Sequence, residues 1–189
     1  MATVGVAGVG VAGAGAARGA GAGAAAALRE RQRPLKKGYQ DEPASALVPS
    51  TATATVDQAG LTATVSTWAG DVVAGLHPAA GGDGTQACSG DILLQSLVAC
   101  AGVTLSSVAT ALGVELRSAT VTANGTWDAR GTLGVDREAP VGLTSIELVL
   151  DLDTDAEESK VARLLELTER YCVVAQTLAD PPEVTFRHT

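Results

Sequence analysis

The longest uncharged stretch of the chain, 92-ILLQSLVACAGVTLSSVATALGV-114, repeats Leu94, Leu97, Ala101, Leu105, Val108 and Leu112 at steps of three and four. That spacing returns side chains to one face of an α-helix. It predicts a helix from about Gly90 to Leu112, with Ser89 as N-cap, Asp91 in the dipole-favoured first turn and Gly113 as the stop. The remaining faces are small rather than charged. A helix without a solvated face has to be covered on several sides, and a second subunit is the simplest cover.

Around this helix the pattern changes to a period of two. The segments 46-ALVPSTATATV-56, 61-LTATVSTW-68 and 71-DVVAGLH-77 are short, rich in Thr and Val, and separated by Asp57, Gly60 and Gly70, the pattern of an antiparallel meander. The Gly/Pro-rich run 78–90 separates them from the helix. After it, 118-SATVTANGTWD-128 and 144-TSIELVLDLD-153 resume strand character, the second alternating Ile146, Leu148, Leu150 and Leu152 with Ser145, Glu147, Asp151 and Asp153. Thr154 and Glu157 form a capping-box pattern ahead of a second helix over 155–170. A break near Tyr171 and Cys172, a further helical piece over 173–179 and a closing strand over 183–188, beyond Pro181, complete the chain. The order βββ-α-ββ-α-β is α+β in class.

The N-terminal 45 residues read differently. Residues 1–27 are nearly all Gly, Ala and Val, a low-complexity tail expected to be disordered and dispensable for the fold. Within it GVGVAG, from Gly8 to Gly13, meets the G-x-G-x-x-G spacing, but composition alone generates that pattern here and no βαβ unit follows. Neither a basic start nor a continuous apolar core of a secretory signal is present. Residues 28–45 form an arm, with 28-LRERQRPLKK-37 a short basic helix broken at Pro34. The globular domain is 46–189.

Charge and cysteine content narrow the chemistry. A net charge of −8 without a basic stripe argues against a nucleic-acid partner. The uncharged helix is diluted by Gln95, Ser96, Thr104, Ser106, Ser107 and Thr110 and lacks flanking aromatic or Lys/Arg anchors, so it reads as a core helix rather than a membrane span. Three cysteines in 189 residues do not make a secreted disulfide framework, and a cytoplasmic location is expected. His77, His188 and the cysteines show no zinc-binding spacing, no G-x-S-x-G elbow is present, and His77 reads as a loop residue. No bound cofactor or metal is expected. Cys88, at the front of the long helix, is roughly 15 Å from Cys100 at 1.5 Å per residue, beyond the about 7 Å a disulfide tolerates. A tertiary pair of Cys100 and Cys172 is open. By local sequence Cys172 is the one with activating neighbours, Arg170 and the restart of a helix, while Cys100 in mid-helix has neither.

SGDILLQSLVACAGVTL, followed by ERYCVVAQTL and PPEV, resembles the two motifs of the OsmC/Ohr family (osmotically inducible protein C and organic hydroperoxide resistance protein), in the family's order and over about Ala46 to Phe186. The resemblance implies antiparallel sheets packed on a central buried helix in an intertwined homodimer. It implies thiol-dependent reduction of organic hydroperoxides, with Cys100 at the peroxidatic position, Cys172 at the resolving position, and an external dithiol reductant of the dihydrolipoyl type or another small thiol. The alternative is a non-catalytic module of the same fold that binds a small apolar ligand at the dimer cleft. The arginine that the family's peroxidases carry between the first two strands is missing from 57-DQAG-60; Lys36, Lys37 and Arg117 are the substitutes to consider. Asp91 matches the family's helix-start glutamate but falls on the far side of a regular helix from Cys100.

Overall fold

A computed structural model describes residues 20–188; the expectations for residues 1–19, including the GVGVAG pattern, lie outside the described residues. The strands of the meander form where the Thr/Val alternation places them: β1 (Ala54–Asp57), β2 (Thr62–Thr67) and β3 (Gly70–Gly75), paired antiparallel in sequence order. β1 is shorter than its pattern, because Pro43–Ala46 forms a 3-10 turn and 47–53 has no ladder partner. A fourth strand that periodicity did not reveal, β4 (Ala87–Cys88), pairs parallel with β3 and leads straight into the long helix.

That helix, α2 (Ser89–Leu112), is capped at its N-terminus by Cys88, so Ser89 is its first residue rather than its cap; Gly113 ends it in the left-handed conformation, φ 66°, which glycine adopts without strain. Its buried face is Leu97, Ala101, Leu105, Val108 and Ala109. Leu94 is half-buried and Leu112 exposed, Ala109 taking the last core position. α2 is apolar and long enough by composition to cross a bilayer, yet the face just named packs on the protein.

The second sheet is the hairpin β5 (Ser118–Trp127) and β6 (Leu143–Asp153), antiparallel, with an irregularity at Thr126/Trp127. β6 alternates as its sequence does, Ile146, Leu148, Leu150 and Leu152 turned inward. Gly125 lies against α2 closely enough that a Cβ there would come 3.0 Å from Leu94 Cδ1 and 3.1 Å from Leu143 Cδ2, so the ends of both leucine side chains would have to give by a few tenths of an ångström. A single-turn helix, α3 (Ala129–Thr132), opens the β5–β6 connection and is capped by Asp128.

The second predicted helix begins later than its capping pattern. α4 spans Glu158–Tyr171 with Glu157 as an unassisted N-cap. The Thr154 hydroxyl instead donates to the Glu115 carbonyl at 2.6 Å and accepts from the Ala156 amide at 3.2 Å, tying the end of β6 to the chain entering β5. The break falls at Cys172, C-cap of α4 and N-cap of α5 (Val173–Ala179). No strand forms over 183–188: the segment finds no ladder partner among the described residues, and Val184 and Phe186 stay exposed. A strand pattern becomes a strand only against a free edge in register.

At the other end, α1 (Ala20–Asp41) is a continuous helix. Two expectations are corrected here. Ala20–Ala27 is helical rather than disordered, Ala being the strongest helix former. Pro34 does not break the helix: it removes one hydrogen bond, to the Glu30 carbonyl, and ion pairs Arg33–Glu30 (2.6 Å) and Lys37–Asp41 (2.8 Å) close turns on both sides of it.

Two buried clusters hold the chain together. One joins Leu105, Val108, Ala109 and Val114 to Leu164 of α4; the other joins Leu97 and Ala101 to Cys172, with Cys100, Val121, Ala123, Ile146 and Leu148 packed on it. Leu164 has no exposed surface, so Leu164→Ala leaves a cavity between α2 and α4, with a loss of about 2–5 kcal/mol readable as a lower urea midpoint. The meander contributes nothing to either cluster. No residue of β1, β2 or β3 is buried, and on α2 Val103 is 73% exposed.

Candidate functional site

The site lies where the middle of α2 meets the α4–α5 break. Helical periodicity puts Cys100 one position from the buried Ala101, so its side chain sits at the margin of the core, half-buried. Cys172 is nearly sealed, at 1% exposure, because the chain turns there between two helices against Leu97 and Ala101. The fold thus brings into one cluster two thiols that are 72 residues apart in sequence. Both are free, as is Cys88, which stands half-buried at the N-terminus of α2.

The environments of the pair polarise it. Burial pushes the Cys100 thiol up, but it is outweighed by groups that favour the thiolate: the N–H of Val174, the Cys172 thiol, the N–H of Val173 and the Thr104 hydroxyl one helical turn along α2. The net effect holds Cys100 below the ordinary cysteine value. Cys172 moves the other way. Burial raises it, the Ala175 N–H only partly offsets this, and donating toward Cys100 beside a developing negative charge raises it further. The electrostatics of the pair favour the thiolate on Cys100 and the protonated thiol on Cys172.

This reverses the local sequence expectation. The helix restart does supply activating amides, but α5 presents those of Val173 and Val174 to Cys100 across the interface, not to Cys172 on its own backbone. Arg170 is not used either; its guanidinium lies 5.8 Å over the Tyr171 ring. Thr104 carries a signal that could have been found, four residues after Cys100 and therefore on the same helix face. The amides carry none, since every residue but proline has one.

None of the candidate cations serves Cys100 within the chain. Arg117 is held at the far end of the hairpin by Asp153 (Nε to Oδ1 2.8 Å) and Asp155 (2.5 Å), which lock its charge on while Arg117 draws Asp153 below the usual carboxylate range. Lys37 is paired with Asp41, and Lys36 is exposed on α1. Asp91 is exposed in the first turn of α2, about two and a half turns from Cys100. His77 accepts from the Ala79 amide through Nδ1 (3.0 Å) and meets Trp127 edge-on at 5.3 Å, a loop residue in a structural contact. Among the described residues no three His, Cys, Asp or Glu side chains gather as a metal site.

Solved structures share this arrangement of elements. An OsmC-like protein from Mycoplasma pneumoniae matches 71% of the chain and 89% of its own length at 17% identity with a TM-score of 0.59. An OsmC-like protein of unknown function from Vibrio cholerae matches 69% of the chain and 94% of its own length at 13% identity and TM-score 0.56. An organic hydroperoxide resistance protein from Elizabethkingia anophelis matches 71% and 91% at 18% identity and TM-score 0.56. At these identities the likeness is one of fold, and it bears out the α+β reading. No curated protein matches the chain. The family model described as OsmC-like protein matches residues 82–187, which span α2, the β5–β6 hairpin, α4, α5 and both cysteines of the pair. The chain belongs to the OsmC family.

Proposed function

We propose that the chain reduces organic hydroperoxides, with Cys100 as the attacking thiolate and Cys172 as the resolving thiol. The observation that carries this reading is the opposite polarisation of two thiols in one buried cluster; the organic hydroperoxide resistance protein among the structural neighbours is consistent with it. The Cys100 thiolate attacks the terminal oxygen of ROOH, the O–O bond breaks, and RO⁻ leaves and takes a proton from solvent to become ROH. Cys100 is left as a sulfenic acid. Cys172 attacks that sulfur, water departs, and a disulfide forms. An external dithiol, of the dihydrolipoyl type or another small thiol, then restores both thiols by exchange. Purified protein is expected to consume cumene hydroperoxide catalytically when dihydrolipoamide is regenerated; stoichiometric or no consumption would refute a peroxidase.

The second reading, a non-catalytic module binding a small apolar ligand at a dimer cleft, is favoured by one observation: among the described residues no Lys or Arg acts on Cys100. Saturable binding of such a ligand together with failure of the peroxide assay would select it.

Either reading acts as a homodimer. The exposed Val103 on α2, the meander with no buried residue and the unpaired 183–188 segment are three apolar or strand-forming surfaces that one chain leaves uncovered, and a partner copy covers all three in an intertwined arrangement. Sedimentation equilibrium is expected to give twice the chain mass at micromolar concentration; a folded monomer there would exclude the dimer. A reducing, cytoplasmic location follows from a mechanism that needs both thiols returned to the reduced state.

A further inference from the structure

Because α1 runs unbroken through Pro34, it gathers onto one face cations that a break there would divide. Arg29, Arg33, Lys36, Lys37 and Gln40 fall within about 100° of its circumference and, with Glu30, line an open groove. The chain does carry a basic stripe, which its net charge conceals. Residues 28–41 hold five Lys/Arg against two Asp/Glu, net +3, whereas 42–189 hold seven against nineteen, net −12. The stripe meets no acidic group on its own body. α1 packs on the 3-10 turn that follows it and on α2, whose one charged residue is Asp91. Both ion pairs of the arm, Arg33–Glu30 and Lys37–Asp41, lie inside α1, and Arg29 and Lys36 are exposed with no ion pair among the described residues.

We infer that this stripe clasps the outward face of the β5–β6 hairpin of a second copy of the chain, with Arg29 and Lys36 meeting the carboxylates of Glu147 and Asp151. On β6 these two acids alternate with the inward Leu148 and Leu150, are exposed, and stand opposite the neutral Asn124 and Thr120 of β5. The Asn124 amide reaches Glu147 at 3.4 Å, and neither acid has an ion pair among the described residues. They lie about 13 Å apart along the strand, and Arg29 and Lys36 about 10 Å apart along the helix, a difference that the flexible Arg and Lys stems span. Charge selects the occupant. A nucleic acid or an anionic membrane that approached α1 would also meet a body of net −12, which repels it but is the complement of the stripe when it belongs to a second copy. The clasp is separate from the three uncovered surfaces assigned above to the dimer, and α1 lies outside the residues that the family model matches.

The test is a charge swap read by sedimentation equilibrium over a dilution series of the full chain. The double variant Arg29→Glu with Lys36→Glu, and separately Glu147→Lys with Asp151→Lys, are each expected to weaken self-association roughly three- to tenfold at low salt. All four substitutions together should restore it to within about twofold of the parent, and salt near 0.5 M should shrink every difference, because exposed charges are screened there. A parent-like affinity in the α1 double variant, or a fourfold variant as weak as either double, overturns the clasp and leaves the dimer standing. A parent that stays monomeric overturns both, and neither result touches the thiol chemistry. Where the copies hold too tightly to dilute apart, a carbodiimide that joins touching amines and carboxylates gives the answer. The species of twice the chain mass on a denaturing gel should contain an amide between Lys36 and Glu147 or Asp151, and its absence overturns the contact. The remaining occupants are tested with a short DNA duplex and with phosphatidylglycerol vesicles: binding that the α1 reversal abolishes while self-association is unchanged assigns the stripe to that polyanion instead.

Discussion

Cys100→Ser is expected to bring organic-hydroperoxide consumption down to the uncatalysed background while the fold is kept. A serine hydroxyl stays protonated in the environment that favours the thiolate, and the thiolate is the species that attacks the O–O bond. The change is small at a half-buried position, so loss of activity with an unchanged urea midpoint separates a chemical role from a packing one. The parent protein carries a pH signature that supports the same assignment. Cys100 is held below the ordinary cysteine value, so its thiolate persists to lower pH than that of a free cysteine and is lost as pH falls through the lowered value. The midpoint of the single-turnover rate with cumene hydroperoxide should therefore lie at lower pH than that of a free cysteine thiol measured alongside. A rate that halves at the value of a free cysteine would contradict the environment assigned to Cys100, and a Cys100→Ser protein that matches the parent would exclude it as the attacking group.

Cys172→Ser should separate the two halves of the cycle. The serine hydroxyl can still donate toward Cys100, so the first attack proceeds, but no sulfur remains to capture the sulfenic acid. One equivalent of peroxide is consumed in a burst, turnover then stops, and with excess peroxide Cys100 passes to the sulfinic and sulfonic acids, gains of two and three oxygens readable by intact mass. Cys88→Ser should leave both burst and turnover within about twofold of the parent, since Cys88 caps α2 through its backbone and uses no side-chain hydrogen bond there. Sustained turnover in Cys172→Ser would mean that an external thiol resolves Cys100 directly, and Cys172 would then be a packing residue.

Much of this molecule could be read from the order of its residues. The alternation in 144–153, the three-and-four spacing from Leu97 to Val108 and the glycine at 113 each specify a local conformation through periodicity or backbone freedom, and β6, α2 and the α2 C-cap form where those patterns place them. Where a local rule competed with a longer-range contact, the contact prevailed. Thr154 gives up its capping role to hold the Glu115 carbonyl, and 183–188, paired with no strand among the described residues, stays without strand structure. The two cysteine motifs marked the pair and, through the family resemblance, Cys100 as the attacking thiol, whereas the sequence neighbours alone pointed to Cys172, against the direction of both shifts. A pKa is set by whatever groups fold into contact, and backbone amides leave no trace in composition. Only the packing of α5 across α2 directs the amides of Val173 and Val174 at Cys100, and only the burial of Cys172 at the helix break favours its protonated form.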